Sequence, residues 1–134
     1  MKIAPDTNVL VRVLTEDDKR QSKVAEAELA AAELIVLPLP MLCELVWVLS
    51  QGYRIGPADI AATIRRLIEG ANTVVNRPAV EAGFAHLDAG GDFADGVIAY
   101  EARWLGAEIF VSFDRRAAKL LEARGESVRL LTSL

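Results

Sequence analysis

Short apolar runs alternate along the chain with longer segments in which apolar positions recur every three or four residues. The short runs predict β-strands, and the longer segments predict amphipathic helices. The predicted strands are residues 2–4, 34–37, 73–75, 109–112 and 128–131. The predicted helices are residues 8–14, 21–33, 40–51, 57–69, 78–87, 92–105 and 115–124. This regular alternation predicts an α/β domain with a mainly parallel sheet and no second domain.

For two of these segments, periodicity alone does not decide the type of element or its location in the domain. Residues 9–14 suit a buried strand as well as a short buried helix. The break at Pro5 and the polar residues that follow it favour the helix. Residues 92–105 are apolar on several faces, and we expect that helix to lie at the centre of the domain.

Composition places the chain among ordinary globular domains. It has 134 residues, of which 52% are hydrophobic and 25% are charged, and this length suits a single domain. With 15 basic and 19 acidic residues, the net charge is −4. That balance argues against a protein that coats nucleic acid by bulk positive charge, although a local basic rim stays open.

Cysteine content and hydropathy indicate the compartment. Cys43 is the only cysteine, which excludes an intrachain disulfide and a cysteine-based zinc site. The first residues lack the pattern of a signal peptide. The most apolar stretch, residues 34–50, is interrupted by two prolines and Glu44, so we expect no membrane span. A cytoplasmic protein is the expectation.

Four acidic residues follow the predicted strands or open the helices beside them. Asp6 directly follows the first strand, and Asp114 follows the fourth. Glu44 lies one turn into helix 40–51, and Asp95 lies in the first turn of helix 92–105. Ligands of open parallel sheets bind at the carboxyl ends of the strands. We therefore expect these four carboxylates to converge on one edge of the sheet.

A purely structural role is also open for each acid. Asp6, Asp92 and Asp114 stand where helix caps stand, and Asp95 suits the positive end of a helix dipole. Glu44 differs, because its sequence neighbours are apolar and a buried charge is costly unless it is paired or bound to a metal ion. A basic partner such as an arginine is the structural alternative for it.

Convergence of the acids points to a metal ion. Two carboxylates about 4 Å apart repel each other by roughly 4 kcal/mol at an effective dielectric constant of about 20. A hard divalent cation relieves this repulsion, and Mg²⁺ or Mn²⁺ prefers oxygen ligands. Such an ion activates water and stabilises charge on a phosphoryl group.

Competing chemistries lack parts in this sequence. His86, the only histidine, lies among alanine and glycine, which indicates a packing or surface role, and no Ser-His-Asp or Cys-His pair stands out. A phosphate-binding loop of the G-x-x-x-x-G-K-[ST] type is absent. A signalling receiver domain needs a lysine after the last strand, and an aspartyl phosphotransferase needs an acidic residue at the position that Asn8 occupies. The sequence meets neither requirement. Metal-assisted phosphodiester hydrolysis is the interpretation that remains.

The motifs around these acids resemble those of the PIN-domain family, and among its members the VapC-type toxin ribonucleases of bacterial toxin–antitoxin pairs. The resemblance covers essentially the whole chain. It rests on the ordered set Asp6-Thr7-Asn8, Glu44, Asp92-Phe93-Ala94-Asp95 and Ser112-Phe113-Asp114.

The resemblance implies roles for individual residues. Asp6, Glu44 and Asp95 match the metal-binding acids of the family, and Asp114 matches a fourth acid that acts through water or at a second metal ion. Asn8 matches a polar position that orients the metal-bound water or the scissile phosphate. Asp92 falls where the family often has a further acid, but a helix cap is the role we favour for it.

The resemblance also implies a fold, an activity and partners. It implies a single PIN domain over residues 1–134, with a roughly five-stranded parallel sheet flanked by helices on both faces. The implied activity is that of an Mg²⁺- or Mn²⁺-dependent endoribonuclease, whose partners are an RNA substrate, a cognate antitoxin protein and a second copy of the chain. Arg12, Arg115 and Arg116 lie near the same edge in sequence, where phosphates could bind. A non-catalytic interaction module that keeps the acids is the alternative.

Overall fold

The structure is a computed structural model that describes residues 1–133. The chain divides into two compact units, Met1–Asn76 and a second unit that begins at Arg77. Both units combine helices with parallel strands, which confirms the α/β class expected from the sequence.

Every predicted strand and helix has a counterpart in the structure. The first unit contains β1 (Lys2–Ile3), α1 (Thr7–Thr15), α2 (Lys19–Ala31), β2 (Leu34–Val36), α3 (Leu39–Trp47), a π-helical turn (Val48–Gly52), α4 (Pro57–Ile68) and β3 (Thr73–Val74). The second unit contains α5 (Arg77–Asp88), α6 (Phe93–Trp104), β4 (Phe110–Ser112), α7 (Arg115–Ala123) and β5 (Val128–Leu130). Apart from the end of α3, the predicted bounds agree with these within 2 residues.

The strands pair as two separate sheets in the described residues. In the first unit β2 lies between β1 and β3, and Ile35 pairs with Ile3 on one side and Thr73 on the other. In the second unit β4 pairs with β5, both sheets being parallel. The sequence predicted one sheet of about five strands, and this differs from the three-stranded and two-stranded sheets observed. An apolar run indicates a strand, but it does not say which strand lies beside it.

Residues 9–14 are helical, as the sequence favoured. Asp6 adopts an extended conformation (φ −82°, ψ 176°) and caps helix α1 by accepting a hydrogen bond from the Val9 N–H. The helix buries Leu10 and Val11 and ends at Glu16, whose φ of 54° is left-handed. Because one stripe of this short segment is fully buried, its apolar run is the core side of a helix.

The segment after α3 departs from the predicted helix. The sequence predicted a helix over residues 40–51, but α-helical bonding ends at Trp47, and a π-helical turn carries the chain to Gly52. The backbone N–H of Tyr53 then donates to the carbonyl of Val48 at 3.3 Å. Apolar spacing gives little sign of a π-turn, because the same side chains stay on the buried side.

Helices α5 and α6 pack at very short distance. A Cβ on Gly96 would meet the backbone carbonyl oxygen of Ala82, and a Cβ on Gly83 would lie 2.6 Å from the Phe93 ring. The rings of Phe84 and Phe93 pack edge to face, with centroids 5.6 Å apart. These contacts fix the first turn of α6 against α5.

The expectation that α6 is central is wrong. The helix buries Phe93, Gly96, Val97 and Ala99, whereas Ile98 is 52% exposed and Trp104 is 79% exposed. Glycine and alanine allow close packing on one side of α6 only. The apolar residues on its other faces therefore point to solvent.

Candidate functional site

Asp6 stands at the carboxyl end of β1 and begins α1. Its Oδ1 accepts a hydrogen bond from the Val9 N–H at 3.2 Å, so the structural role foreseen for it, a helix cap, is real. Among the described residues nothing donates to Oδ2, and Asp6 forms no ion pair. One carboxylate oxygen thus fixes the start of the helix while the other stays available to a ligand.

Asp6 and Asn8 line one cavity of about 640 Å³ in the first unit. Both side chains are exposed, whereas Thr7 between them is buried. The remaining charged or polar lining consists of Arg12, Arg20, Gln21 and Glu28. Apolar residues of β1, of the turn that follows it, and of α1 and α2 form the rest of the wall, so the cavity combines polar groups with an apolar surface.

Glu44 lies in solvent, contrary to the environment inferred from its sequence neighbours. Helix α3 turns Leu42, Leu45 and Val46 inward and leaves Glu44 and Trp47 exposed on the opposite side. Among the described residues the Glu44 carboxylate has no hydrogen bond and no ion pair. The argument from a buried charge therefore fails, because neighbours in sequence lie on different faces of a helix.

Asp95 is the acid whose surroundings most affect its charge. It is half-buried in the first turn of α6, and this burial, reinforced by the nearby charges of Asp92 and Asp114, raises the pKa of its carboxyl group. His86 acts in the opposite direction on the same pKa. The charges of Asp92 and Asp114 therefore act on the carboxyl group of Asp95 within the second unit.

Asp114 and Asp92 stand at two helix starts in the second unit. Asp114 begins α7, and its Oδ1 accepts from the backbone N–H groups of Arg116 at 2.9 Å and Ala117 at 3.0 Å. Ser112 Oγ accepts from the Asp114 N–H at 2.9 Å, which fixes the turn after β4. Asp92 occupies the cap position of α6, but its side chain makes no capping hydrogen bond. Asp92 therefore stands at the cap position favoured for it, but its side chain does not cap the helix.

His86 is the residue of this region that sequence reasoning left outside the chemistry. Its side chain is fully buried, and neither ring nitrogen has a hydrogen-bond partner among residues 1–133. Burial lowers the pKa of the imidazole, against the opposing effect of Asp95. A Cβ on Gly91 would lie 2.5 Å from the ring carbon Cδ2, so that glycine makes the room for the ring. The Gly90-Gly91 pair was the signal in the sequence that could have indicated this close packing around His86.

The chemistry of the acids fits a hard divalent cation. Among the described residues, none of Asp6, Glu44, Asp95 and Asp114 forms an ion pair with lysine or arginine. Unpaired carboxylate oxygens are the ligands that Mg²⁺ and Mn²⁺ prefer. Residues 1–133 contain no group of three or more acidic, histidine or cysteine side chains that could hold a metal ion. The ligand set read from the sequence therefore stays a prediction.

Comparison with known families finds a match over most of the chain. The model of the PIN domain family matches residues 3–122 of the chain, which include all four acids and Asn8. No curated protein matches the sequence. Within residues 1–133 there is also no helix with the length and hydropathy needed to cross a bilayer.

Proposed function

The chain belongs to the PIN-domain family, whose fold is generally that of a metal-dependent nuclease, and we propose that it is an Mg²⁺- or Mn²⁺-dependent endoribonuclease that acts as the toxin of a VapC-type toxin–antitoxin pair. The observation that carries the proposal is the state of the predicted acids. All four lie within the matched residues, and none is neutralised by a basic side chain of the described chain.

Each polar residue has a distinct task in this proposal. Asp6, Glu44 and Asp95 would hold the cation, which when bound would supply the Lewis acidity that activates water and offsets phosphoryl charge. Asp114 positions the attacking water or a second ion. The Asn8 amide orients the scissile phosphate from the first turn of α1. Water oxygen bonds to phosphorus as the bond to the 3′ oxygen breaks, which gives 5′-phosphate and 3′-hydroxyl ends.

The first test is cleavage in cells with a matched pair of variants. RNA from bacteria that briefly express the protein is sequenced for new 5′-phosphate ends. We expect discrete ends that disappear in Asp6→Asn. Asp18→Asn is the control, because this substitution removes the same charge from another helix cap. The Oδ1 atom of Asp18 accepts a hydrogen bond from the Gln21 N–H at 3.1 Å. Unchanged ends in Asp6→Asn would contradict the assignment.

The proposed antitoxin has a surface to bind beside the active residues. The cavity that holds Asp6 and Asn8 has an apolar wall, and Val24 on that wall is 68% exposed. A partner segment bound there covers both polar residues and blocks RNA. Val24→Asp is therefore expected to stay an active ribonuclease and to escape neutralisation by the antitoxin. Equal neutralisation of this variant would place the antitoxin elsewhere.

Two further parts of the proposal concern assembly and location. We expect a homodimer, which sedimentation equilibrium distinguishes from a monomer by mass, and a cytoplasmic location, which cell fractionation tests. The alternative function is an interaction module without turnover. Incubation of RNA with the purified chain and Mg²⁺ separates the two, because a module that keeps the acids without turnover leaves the RNA uncut.

A further inference from the structure

Arg12 lies on the same face of α1 as the residues of the proposed active site. Positions four apart in a helix are neighbours on one face, which places Arg12 one turn beyond Asn8. Both residues line the cavity that Asp6 lines. A strand of RNA whose phosphate is held at Asp6 and Asn8 therefore runs past Arg12 if it follows the helix.

The guanidinium group of Arg12 is held in a fixed orientation. Its Nε donates to Gln21 Oε1 at 2.5 Å, and its Nη1 donates to Asp17 Oδ1 at 3.1 Å. The Ser22 hydroxyl donates to the Arg12 carbonyl at 2.5 Å, which ties α1 to α2 at the same point. The Arg12 side chain therefore loses its conformational freedom when the protein folds, and not when a ligand binds.

Asp17 is itself oriented by two further donors. The Tyr53 hydroxyl donates to Oδ2 at 2.6 Å, and the Thr15 hydroxyl donates to Oδ1 at 3.0 Å. The hydrogen bond from Tyr53 is the largest cause that lowers the pKa of Asp17, so its carboxylate stays charged. The segment after the π-helical turn therefore reaches back to fix the anchor of Arg12.

This anchoring leaves part of the guanidinium free. Arginine has five N–H donors, and the contacts with Gln21 and Asp17 use two of them. No other acceptor among the described residues binds Arg12, and 30% of its side chain is exposed. A planar donor group that is rigid on one side and open on the other suits phosphate oxygens.

From this geometry we propose that Arg12 binds a phosphate of the RNA strand next to the scissile one, and that Asp17 with Tyr53 is its positioning group. The inference rests on the proposed ribonuclease function and names a further substrate contact for it. The net charge of −4 gives RNA no general attraction to the protein. Individual anchored cations beside the acids must supply it, and Arg12 is one that the fold holds in place.

The test measures RNA binding apart from cleavage. A short single-stranded RNA of mixed sequence, labelled with fluorescein, is titrated with the full chain in EDTA at several salt concentrations. Arg12→Gln should weaken binding about tenfold and reduce the slope of log K against log salt by about 0.7. Arg12→Lys keeps the charge and loses the planar donor group of the guanidinium. The slope of log K against log salt should therefore stay the same, and the affinity for RNA should fall.

If Asp17 positions Arg12, its substitution should change RNA affinity in the direction opposite to that expected from the change in charge alone. Asp17→Asn removes a negative charge, which by electrostatics alone strengthens RNA binding. If Asp17 positions Arg12, the variant binds RNA more weakly. Glu16→Gln is the matched control, because it removes the neighbouring negative charge and leaves Arg12 anchored. Tyr53→Phe changes no charge and should weaken binding in the same direction as Asp17→Asn.

Several outcomes would overturn the inference. These are unchanged RNA binding by Arg12→Gln, stronger binding by Asp17→Asn, or a wild-type chain that binds no RNA. Weaker association of Arg12→Gln with a protein partner while RNA binding stays normal would assign Arg12 to that partner instead. Cleavage with Mg²⁺ is measured separately, so a chain that binds RNA through Arg12 without cutting it would contradict the proposed function alone.

Discussion

The two units treat the acids of the predicted site differently. In the first unit Asp6 and Glu44 are exposed to solvent. In the second unit Asp95 is half-buried, and burial together with Asp92 and Asp114 raises its pKa. A group that resists ionisation in the folded state lowers stability when it is forced to ionise. Ionisation of Asp95 in the first turn of α6 therefore carries an electrostatic cost in the folded protein.

The largest expected effect is a divergence between activity and stability. Asp6→Asn and Asp95→Asn should each reduce RNA cleavage at least about 100-fold, because both remove a proposed metal ligand. Only Asp95→Asn should also stabilise the metal-free protein, by less than about 1 kcal/mol because solvent screens part of the repulsion. Asparagine caps a helix as well as aspartate does, so Asp6→Asn should leave stability nearly unchanged.

Urea unfolding of both variants beside the wild type measures this divergence, with Asp18→Asn as the control that keeps cleavage. A destabilised Asp95→Asn protein would mean that the carboxylate makes a favourable contact in the folded state. The contrast between the units would then be wrong.

Metal binding should remove the contrast. An ion bound only to the folded state at 100 times its dissociation constant stabilises it by about 2.7 kcal/mol. We expect Mg²⁺ to raise the unfolding free energy of the wild type and to have no such effect on Asp95→Asn or Glu44→Gln. Thermal unfolding with and without Mg²⁺ tests this. Equal stabilisation of Glu44→Gln would exclude that exposed side chain from the metal site.

Packing offers a second contrast between the units. Gly96→Ala places a methyl group against the Ala82 carbonyl and should destabilise the protein by about 1–2 kcal/mol, after the better helix propensity of alanine is counted. Gly52→Ala in the first unit meets only Val48 Cγ1 at 3.8 Å and should stabilise it by about 0.5 kcal/mol. Urea midpoints compare the two. A neutral Gly96→Ala would show that α5 and α6 separate easily.

The smallest expected effect is a pH dependence from His86. Burial lowers its folded pKa below 6.5, so the unfolded state binds more protons as the pH falls below that value. The free energy of unfolding should therefore decrease as the pH drops through 6.5. Urea unfolding across this range should show the decrease in the wild type and not in His86→Gln. An identical decrease in both proteins would assign it to other groups.

The fold was predictable from the sequence to the level of its elements. Residues 9–14 show why, because the polar break at Asp6 and the cap it forms settled an apolar run that suited strand or helix. The pairing of strands was not predictable, since β1 and β3 have two residues each and so short a segment carries no information on the strand beside it. The π-turn after Trp47 was missed for a similar reason.

For the candidate site, the sequence predicted the places of the acids in the order of elements better than their surroundings. The positions of Asp6 and Asp114 after strands followed from element order, and both are helix starts as foreseen. The burial inferred for Glu44 was wrong, because one exposed face of a helix can lie among apolar sequence neighbours. The surroundings of His86 depend on the close approach of α5 to α6, which a single sequence does not reveal.

Helix capping by the Asp6 and Asp114 carboxylates, beside the chemistry proposed for them, has an evolutionary consequence. At each position Oδ1 begins a helix, and asparagine supplies the same acceptor. A change to asparagine thus silences the proposed chemistry while folded protein accumulates normally. At Asp95 the same change should even increase its abundance. Lineages under selection against the activity can lose it through these three codons without loss of the protein, so expression level carries no information on whether a variant is active.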